Sequence, residues 1–249
     1  MDLRRLTAIF IATTMLPFAA ACRARVDAES RDGRLAARPG VIVATTATGT
    51  DRLEIGGRRD AVLRVPSGAA DGPLPLLVLL HGAGGSGEGM LRRLGSAPDA
   101  AGVAVLAPDS RDSTWDAIRS GFGADIAFLD RALARTFERV AIDPARVAVG
   151  GFSDGASYAL SLGAINGDLF RKVVAFSPGF MVGGAAHGRP EFFVSHGTAD
   201  PILPIDRCSR LIVPQLQSRG YKVTFREFEG RHEVPADVAI EAMKWVAAR

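Results

Sequence analysis

The feature that most constrains this chain is the alternation of short apolar runs with helical patterns. The runs "AVLRV" (61–65), "LPLLVLL" (74–80), "GVAVLA" (102–107), "RVAVG" (146–150), "KVVAF" (172–176), "EFFVS" (191–195) and "KVTFREF" (222–228) are rich in Val, Leu or Phe. Runs of this length and composition mark strands covered on both faces. Between them Ile126, Leu129, Leu133, Phe137 and Val140 recur at helical spacing, and Val238, Ala242, Trp245 and Val246 share one side of a final helix. The alternation predicts an α/β fold with a mostly parallel central sheet and helices on both faces. With 249 residues, 47% of them hydrophobic, one folded domain is expected. Pro214, inside a helix drawn over 206–219, predicts a kink or an early break.

The first 21 residues read as a secretory signal: Arg4 and Arg5, an apolar stretch over 6–18, then Ala19, Ala20 and Ala21. Cys22 follows directly. It stands either as the lipidated cysteine of an envelope-anchored lipoprotein or as the first residue after simple cleavage behind Ala21. Export is expected on both readings. Residues 22–45 are polar and aperiodic, which predicts a leader or tether ahead of a catalytic domain over 46–249. A formal net charge of +3 is too small to point to a nucleic-acid partner. Cys208 is expected to be a small core residue, and no CxxC or HExxH metal spacing occurs. No cofactor is expected.

In parallel sheets, ligands bind at the carboxyl ends of the strands. After the run at 74–80 comes "HGAGGSGEG", in which Gly82, Gly84 and Gly87 form a G-x-G-x-x-G pattern, with Asp109 ending the next strand. Alone, this stretch supports an NAD-type oxidoreductase. The rival reading is a loop whose backbone N–H groups face a substrate carbonyl, and His81 ahead of Gly82 fits that loop better. After the run at 146–150 comes Gly151-Phe152-Ser153-Asp154-Gly155, a G-x-S-x-G pattern with a strand before it and a helix after. After 191–195 comes Asp200, which alone reads as a turn cap, and after the last strand comes His232.

Ser, then Asp, then His, each behind a different strand, is the order of α/β-hydrolases. On that reading His232 takes the proton of the Ser153 hydroxyl, and Asp200 holds the imidazole in the right tautomer. The backbone N–H groups of Ala83 and Asp154 form the oxyanion hole. The Asp154 carboxylate is expected to point away from it, at the helix N-terminus.

Together "HGAGG", "RVAVGGFSDGA", "AFSPGFM", "HGTADPILPI" and "GRHEVP" resemble the carboxylesterase/phospholipase-type and polyhydroxybutyrate-depolymerase-like esterases of the α/β-hydrolase superfamily, from about residue 60 to the C-terminus. The resemblance implies the same triad, the residue after His81-Gly82 as an oxyanion donor, and a small-molecule or polymeric ester as substrate. The interval "SPGFMVGGAAHGRP" (177–190) is too short and glycine-rich for a helical cap, so an open site for short or exposed acyl groups is expected. Trp115, Phe122, Phe180 and Met181 serve either as lining of a substrate pocket or as local packing.

Overall fold

Each apolar run becomes a strand, but the last, over 222–228, is not covered on both faces: it lies at the sheet edge and only Phe228 is buried. The computed structural model describes residues 32–40, 48–67 and 72–249. The expected signal, Cys22 and the beginning of the leader lie outside the described residues. The strands are β1 (Gly49–Arg52), β2 (Ala61–Val65), β3 (Leu74–Leu80), β4 (Ala104–Pro108), β5 (Ile142–Phe152), β6 (Lys172–Phe176), β7 (Glu191–Gly197) and β8 (Val223–Phe228). They form one sheet in the order β1-β2-β4-β3-β5-β6-β7-β8. The β1–β2 and β2–β4 pairs are antiparallel, and every pair from β4 through β8 is parallel. β1 is the strand that carried no apolar signal, because all four of its residues are exposed at the sheet edge.

Helices cover both faces, as the alternation predicts: α1 (Gly87–Leu94), α2 (Ala97–Ala100), α3 (Asp116–Arg119), α4 (Ala124–Arg139), α5 (Asp154–Ile165), α6 (Ser209–Ser218) and α7 (Ala236–Ala247). Strand side chains alternate between faces. Accordingly Leu76, Val78 and Leu80 of β3 join a core with α4, α5 and α6. Leu77 and Leu79 join a second core with α1 and α7. α5 is buried from Gly155 to Ile165, since the segment 177–190 lies along its outer side. That segment contains no helix, as expected for a site without a cap. α6 continues through Pro214 to Ser218, and the break falls instead at Cys208, which is buried as expected and separates α6 from a 3-10 turn over Ile205–Arg207.

The tether expected over 22–45 is, over 32–40, laid against the domain. The Asn166 side chain accepts from the Leu35 N–H at 2.9 Å and donates to the Gly33 carbonyl at 2.8 Å. Asp130 accepts from the Ala36 and Ala37 N–H groups. Arg34 and Arg38 both hold Asp168, at 2.8 and 2.6 Å, and Leu35 is buried. The Arg34 hydrogen bond, opposed by desolvation and aided by Arg38, keeps the Asp168 carboxyl well below the ordinary carboxylate range. A depressed folded-state value means that this contribution is present above the unfolded value near 4 and is lost as pH falls further. Asp168→Asn is expected to free this segment, read as accelerated hydrogen exchange confined to 33–38. Unchanged exchange there would show that the pairing does not hold the segment.

An acidic pair, Asp125 buried and Asp116 half-buried, ties the segment after β4 to α5. Asp116 and Asp125 each accept the other's backbone N–H, at 2.9 and 2.7 Å, and the Tyr158 hydroxyl of α5 donates to Asp116 at 3.0 Å. Burial pushes Asp125 up to about 6. The folded state therefore binds a proton that the unfolded chain has released, and this group destabilises the fold as pH rises from about 4 through 6. Asp125→Asn is expected to flatten the pH dependence of chemical denaturation in that window, by about 2–3 kcal/mol. An unaltered slope would refute the assignment.

Candidate active site

The chain leaves β3 for β4 on one side and then returns to β5 on the other, which makes the carboxyl ends of β3 and β5 a topological switch point. Ser153 sits there, immediately after β5, at φ +57° and ψ −122°. A side chain at such a φ costs about 1–3 kcal/mol and persists only where neighbours enforce it. Here the Ser153 N–H donates to the Phe176 carbonyl of β6 at 3.0 Å. The flanking glycines follow from close approach: a Cβ on Gly151 would lie 2.4 Å from the Gly155 backbone, and one on Gly155 only 2.3 Å from the Leu80 carbonyl oxygen.

The loop after β3 packs against this turn, with Gly82 so close that an added Cβ would lie 3.2 Å from the Ser153 Cβ. His81 anchors it. Its Nε2 accepts from the Ser110 N–H at 3.0 Å, so the proton sits on Nδ1, which donates to the Gly82 carbonyl at 2.7 Å. Burial lowers the His81 pKa and keeps the ring neutral. The Gly84 N–H donates to Ser113, and the Trp115 indole N–H donates to the His81 carbonyl at 2.8 Å. Among the described residues, the N–H groups of Ala83 and Asp154 have no acceptor. The Asp154 carboxylate accepts from the Thr114 hydroxyl at 2.7 Å.

Asp200 and His232 meet across the loops after β7 and β8: His232 Nδ1 donates to Asp200 Oδ2 at 2.6 Å. The other oxygen, Oδ1, accepts from the Ile202 and Leu203 N–H groups at 2.8 and 2.9 Å. Burial opposes ionisation of Asp200, yet the Leu203 N–H, His232 and the Ile202 N–H outweigh it and hold the pKa below the usual range. The His232 ring packs on Phe152, centroids 4.6 Å apart, which puts it beside the Ser153 turn.

A second histidine, unforeseen from sequence, supports Asp200. His196, fully buried at the end of β7, has Nε2 at 2.7 Å from the Leu203 carbonyl and 3.2 Å from Asp200 Oδ2. A carbonyl only accepts, so Nε2 carries the proton and Nδ1 accepts from the Ser209 hydroxyl at 2.7 Å. Burial lowers the His196 pKa, so this contact is a hydrogen bond from a neutral ring and not an ion pair. The sequence held only a hint, a histidine four residues before Asp200.

The four apolar residues offered as pocket lining do not gather at Ser153. Trp115 is fully buried between His81 and Tyr158, and Phe122 is buried against Tyr158, which leaves them little or no surface for a ligand. Met181 lines a separate cavity of about 330 Å³ with Ala164 and Ile165, at the far end of α5 from Ser153. Phe180 is exposed, its backbone N–H held by Ser157. The cavity that does adjoin the turn, about 170 Å³, is walled by Gly82, Ala83, Ser86, Met90, Arg93 and Phe152 among others.

The dinucleotide reading finds no support. Asp109, the acid it needed for a ribose, accepts the Gly87 N–H at 2.8 Å and so caps α1, and a Cβ on Gly87 would collide with the Ala107 carbonyl. That glycine is required by helix-to-strand packing. Among the described residues no group of three or more His, Cys, Asp or Glu side chains is placed to hold a metal ion.

Comparisons with known proteins point the same way. NocK of Nocardia uniformis subsp. tsuyamanensis, which bears the name of an esterase, is 33% identical over 182 residues, 67% of this chain and 53% of NocK. Feruloyl esterase C of Emericella nidulans is 29% identical over 157 residues, 59% of this chain and 57% of that enzyme. The chain thus spans about half the length of the curated relatives it matches. The solved structure of FphF, a fluorophosphonate-binding serine hydrolase of Staphylococcus aureus, superposes with a TM-score of 0.65 at 15% identity, covering 82% of this chain and all of FphF. The fold is that of the α/β-hydrolases. Since the model of the phospholipase/carboxylesterase family matches residues 106–247, more than half of the chain and a stretch that includes Ser153, Asp200 and His232, the chain belongs to that family.

Proposed function

We propose that the chain is an exported serine hydrolase that cleaves carboxylic esters through an acyl-enzyme, with Ser153 as nucleophile, His232 as general base and acid, and Asp200 as its orienting carboxylate. The observation that carries this reading is the 2.6 Å Asp200–His232 hydrogen bond beside a strained serine turn. His232 Nδ1 donates to Asp200, which leaves Nε2 free to take the Ser153 proton as Oγ attacks the ester carbonyl. The tetrahedral oxyanion is met by the Ala83 and Asp154 N–H groups, which have no other acceptor. His232 then returns the proton to the departing alcohol, and a water deacylates the serine by the same path. Thr114 draws the Asp154 carboxylate aside, so that its charge does not oppose the oxyanion.

The helix-free segment 177–190 supports short or exposed acyl groups, polymeric esters included, and the names of NocK and feruloyl esterase C support an ester as the substrate. Export is supported by the signal-like sequence over 1–21, with Cys22 as a candidate lipid anchor. The test is an ester panel graded by acyl length, with feruloyl esters and hydroxybutyrate oligomers included. Turnover should be highest for short acyl groups and vanish in Ser153→Ala; absence of turnover on every ester would overturn the reading.

His196 acts in this scheme as a positioning residue. Without its N–H, the buried Asp200 carboxylate holds the His232 imidazolium more strongly. His196→Phe is expected to move the acid limb of the kcat/KM profile to higher pH, while kcat falls about tenfold because Asp200 Oδ2 loses a hydrogen bond that fixes its aim at His232. His196→Gln, which keeps a donor, should recover most of both. A melting-temperature loss with an unmoved profile would reduce His196 to packing.

A further inference from the structure

The cleft beside Ser153 holds a cation that neither the triad nor the oxyanion hole uses. Arg93, exposed in the last turn of α1, lines the 170 Å³ cavity, and its guanidinium lies 4.5 Å from the centroid of the Phe152 ring. That same ring packs on His232. The acids nearest in sequence are engaged elsewhere: Glu88 faces Arg52 and Arg92, and Asp99 pairs with Arg64; Asp109, further along, caps α1. Asp154, next to Ser153, is held by Thr114. Among the described residues no carboxylate lies within ion-pair distance of Arg93.

We propose that this cavity is a substrate subsite for a compact anionic group, a carboxylate or a phosphate, carried by the ester a few bonds from its scissile carbonyl. The proposal rests on the esterase reading of Ser153. Ala83, whose N–H would hold the carbonyl oxygen, is itself part of the cavity wall. A carbonyl seated there therefore directs one arm of the substrate towards Arg93. A guanidinium lying on an aromatic ring keeps its N–H edges available, and they match a planar carboxylate or a phosphate. The remaining wall suits a small arm: Gly82, Gly85 and Gly89 bring backbone close, Ser86 adds a hydroxyl, and Met90 and Phe152 are apolar. A volume of 170 Å³ is that of about five or six waters in the liquid, enough for a two- or three-carbon arm with its anion.

The test compares matched pairs of esters with the full chain. On the acyl side these are monoethyl succinate and ethyl 3-phosphonopropanoate against ethyl pentanoate; on the alcohol side, 4-acetoxybenzoate against phenyl acetate. The ratio of kcat/KM for the anionic over the neutral member is expected to exceed one on one side, to fall about tenfold in Arg93→Gln, to be largely kept in Arg93→Lys, and to shrink with added salt. Whether the succinate or the phosphonate member gains more identifies the anion. Binding of free succinate and 3-phosphonopropanoate, followed by ligand-observed NMR, provides a readout that needs no turnover. Hydrolysis with ratios unchanged in Arg93→Gln, together with no Arg93-dependent binding, would overturn the subsite and leave Arg93 as a cation packed on Phe152. Arg93-dependent binding with no ester hydrolysed would keep the subsite and overturn the esterase reading.

Discussion

Ser153→Ala is expected to remove ester turnover by roughly 10⁴-fold or more and to abolish covalent labelling by a fluorophosphonate, with the fold intact. Alanine fits where serine does, because the space at this position is set by the Phe176 carbonyl, Gly82 and Gly155 and not by the hydroxyl. A second variant separates chemistry from conformation. At φ +57° every non-glycine residue is strained, so Ser153→Gly should be as inactive as Ser153→Ala yet more resistant to unfolding by about 1 kcal/mol or more. Such a result would mean that this turn gives up stability to present the nucleophile. Turnover within tenfold of the unaltered chain in either variant would remove Ser153 from the mechanism.

Asp200→Asn is the second large effect, and its direction follows from which oxygen is already engaged. Oδ1 accepts two backbone N–H groups, from Ile202 and Leu203. An asparagine must keep its carbonyl oxygen there, or two donors and its own amide would face one another. The amide NH2 then points at His232 Nδ1, which is forced to accept, and the ring proton moves to Nε2. In that tautomer His232 cannot take the Ser153 proton, and kcat is expected to fall about 10⁴-fold, with fluorophosphonate labelling slowed in parallel. The same NH2 would meet the His196 N–H, so a modest loss of melting temperature should accompany the loss of rate. Labelling at an undiminished rate would show that Asp200 does not set the His232 tautomer.

Ser153, Asp200 and His232 are legible in the sequence because each follows a readable apolar run, and their chain order matches that of the α/β-hydrolases. The loop after β3, proposed here to supply an oxyanion donor, is legible only as one of two readings of the same glycines. What separates them is Asp109: in sequence it stands where a ribose-binding acid would, and in space it caps α1. Trp115 and Phe122 show the complementary difficulty. An aromatic residue in a loop after a strand has the same local sequence whether it faces a ligand or a core. Only the approach of Tyr158 from α5 and of His81 from the loop after β3 decides for the core.

What the sequence by itself determined is therefore local and periodic: the strands, the helices between them, and the strand ends at which the candidate site residues stand. Hydrophobic spacing encodes these because burial acts on each element separately. What only the tertiary structure decided are meetings between distant segments, such as the docking of Leu35 on Asn166, 131 residues away, the support of Asp200 by His196 and Ser209, and the exposed edge strand β1. Hydrogen bonds of that kind join single polar atoms across the fold, and they leave no periodic trace in the residues around them.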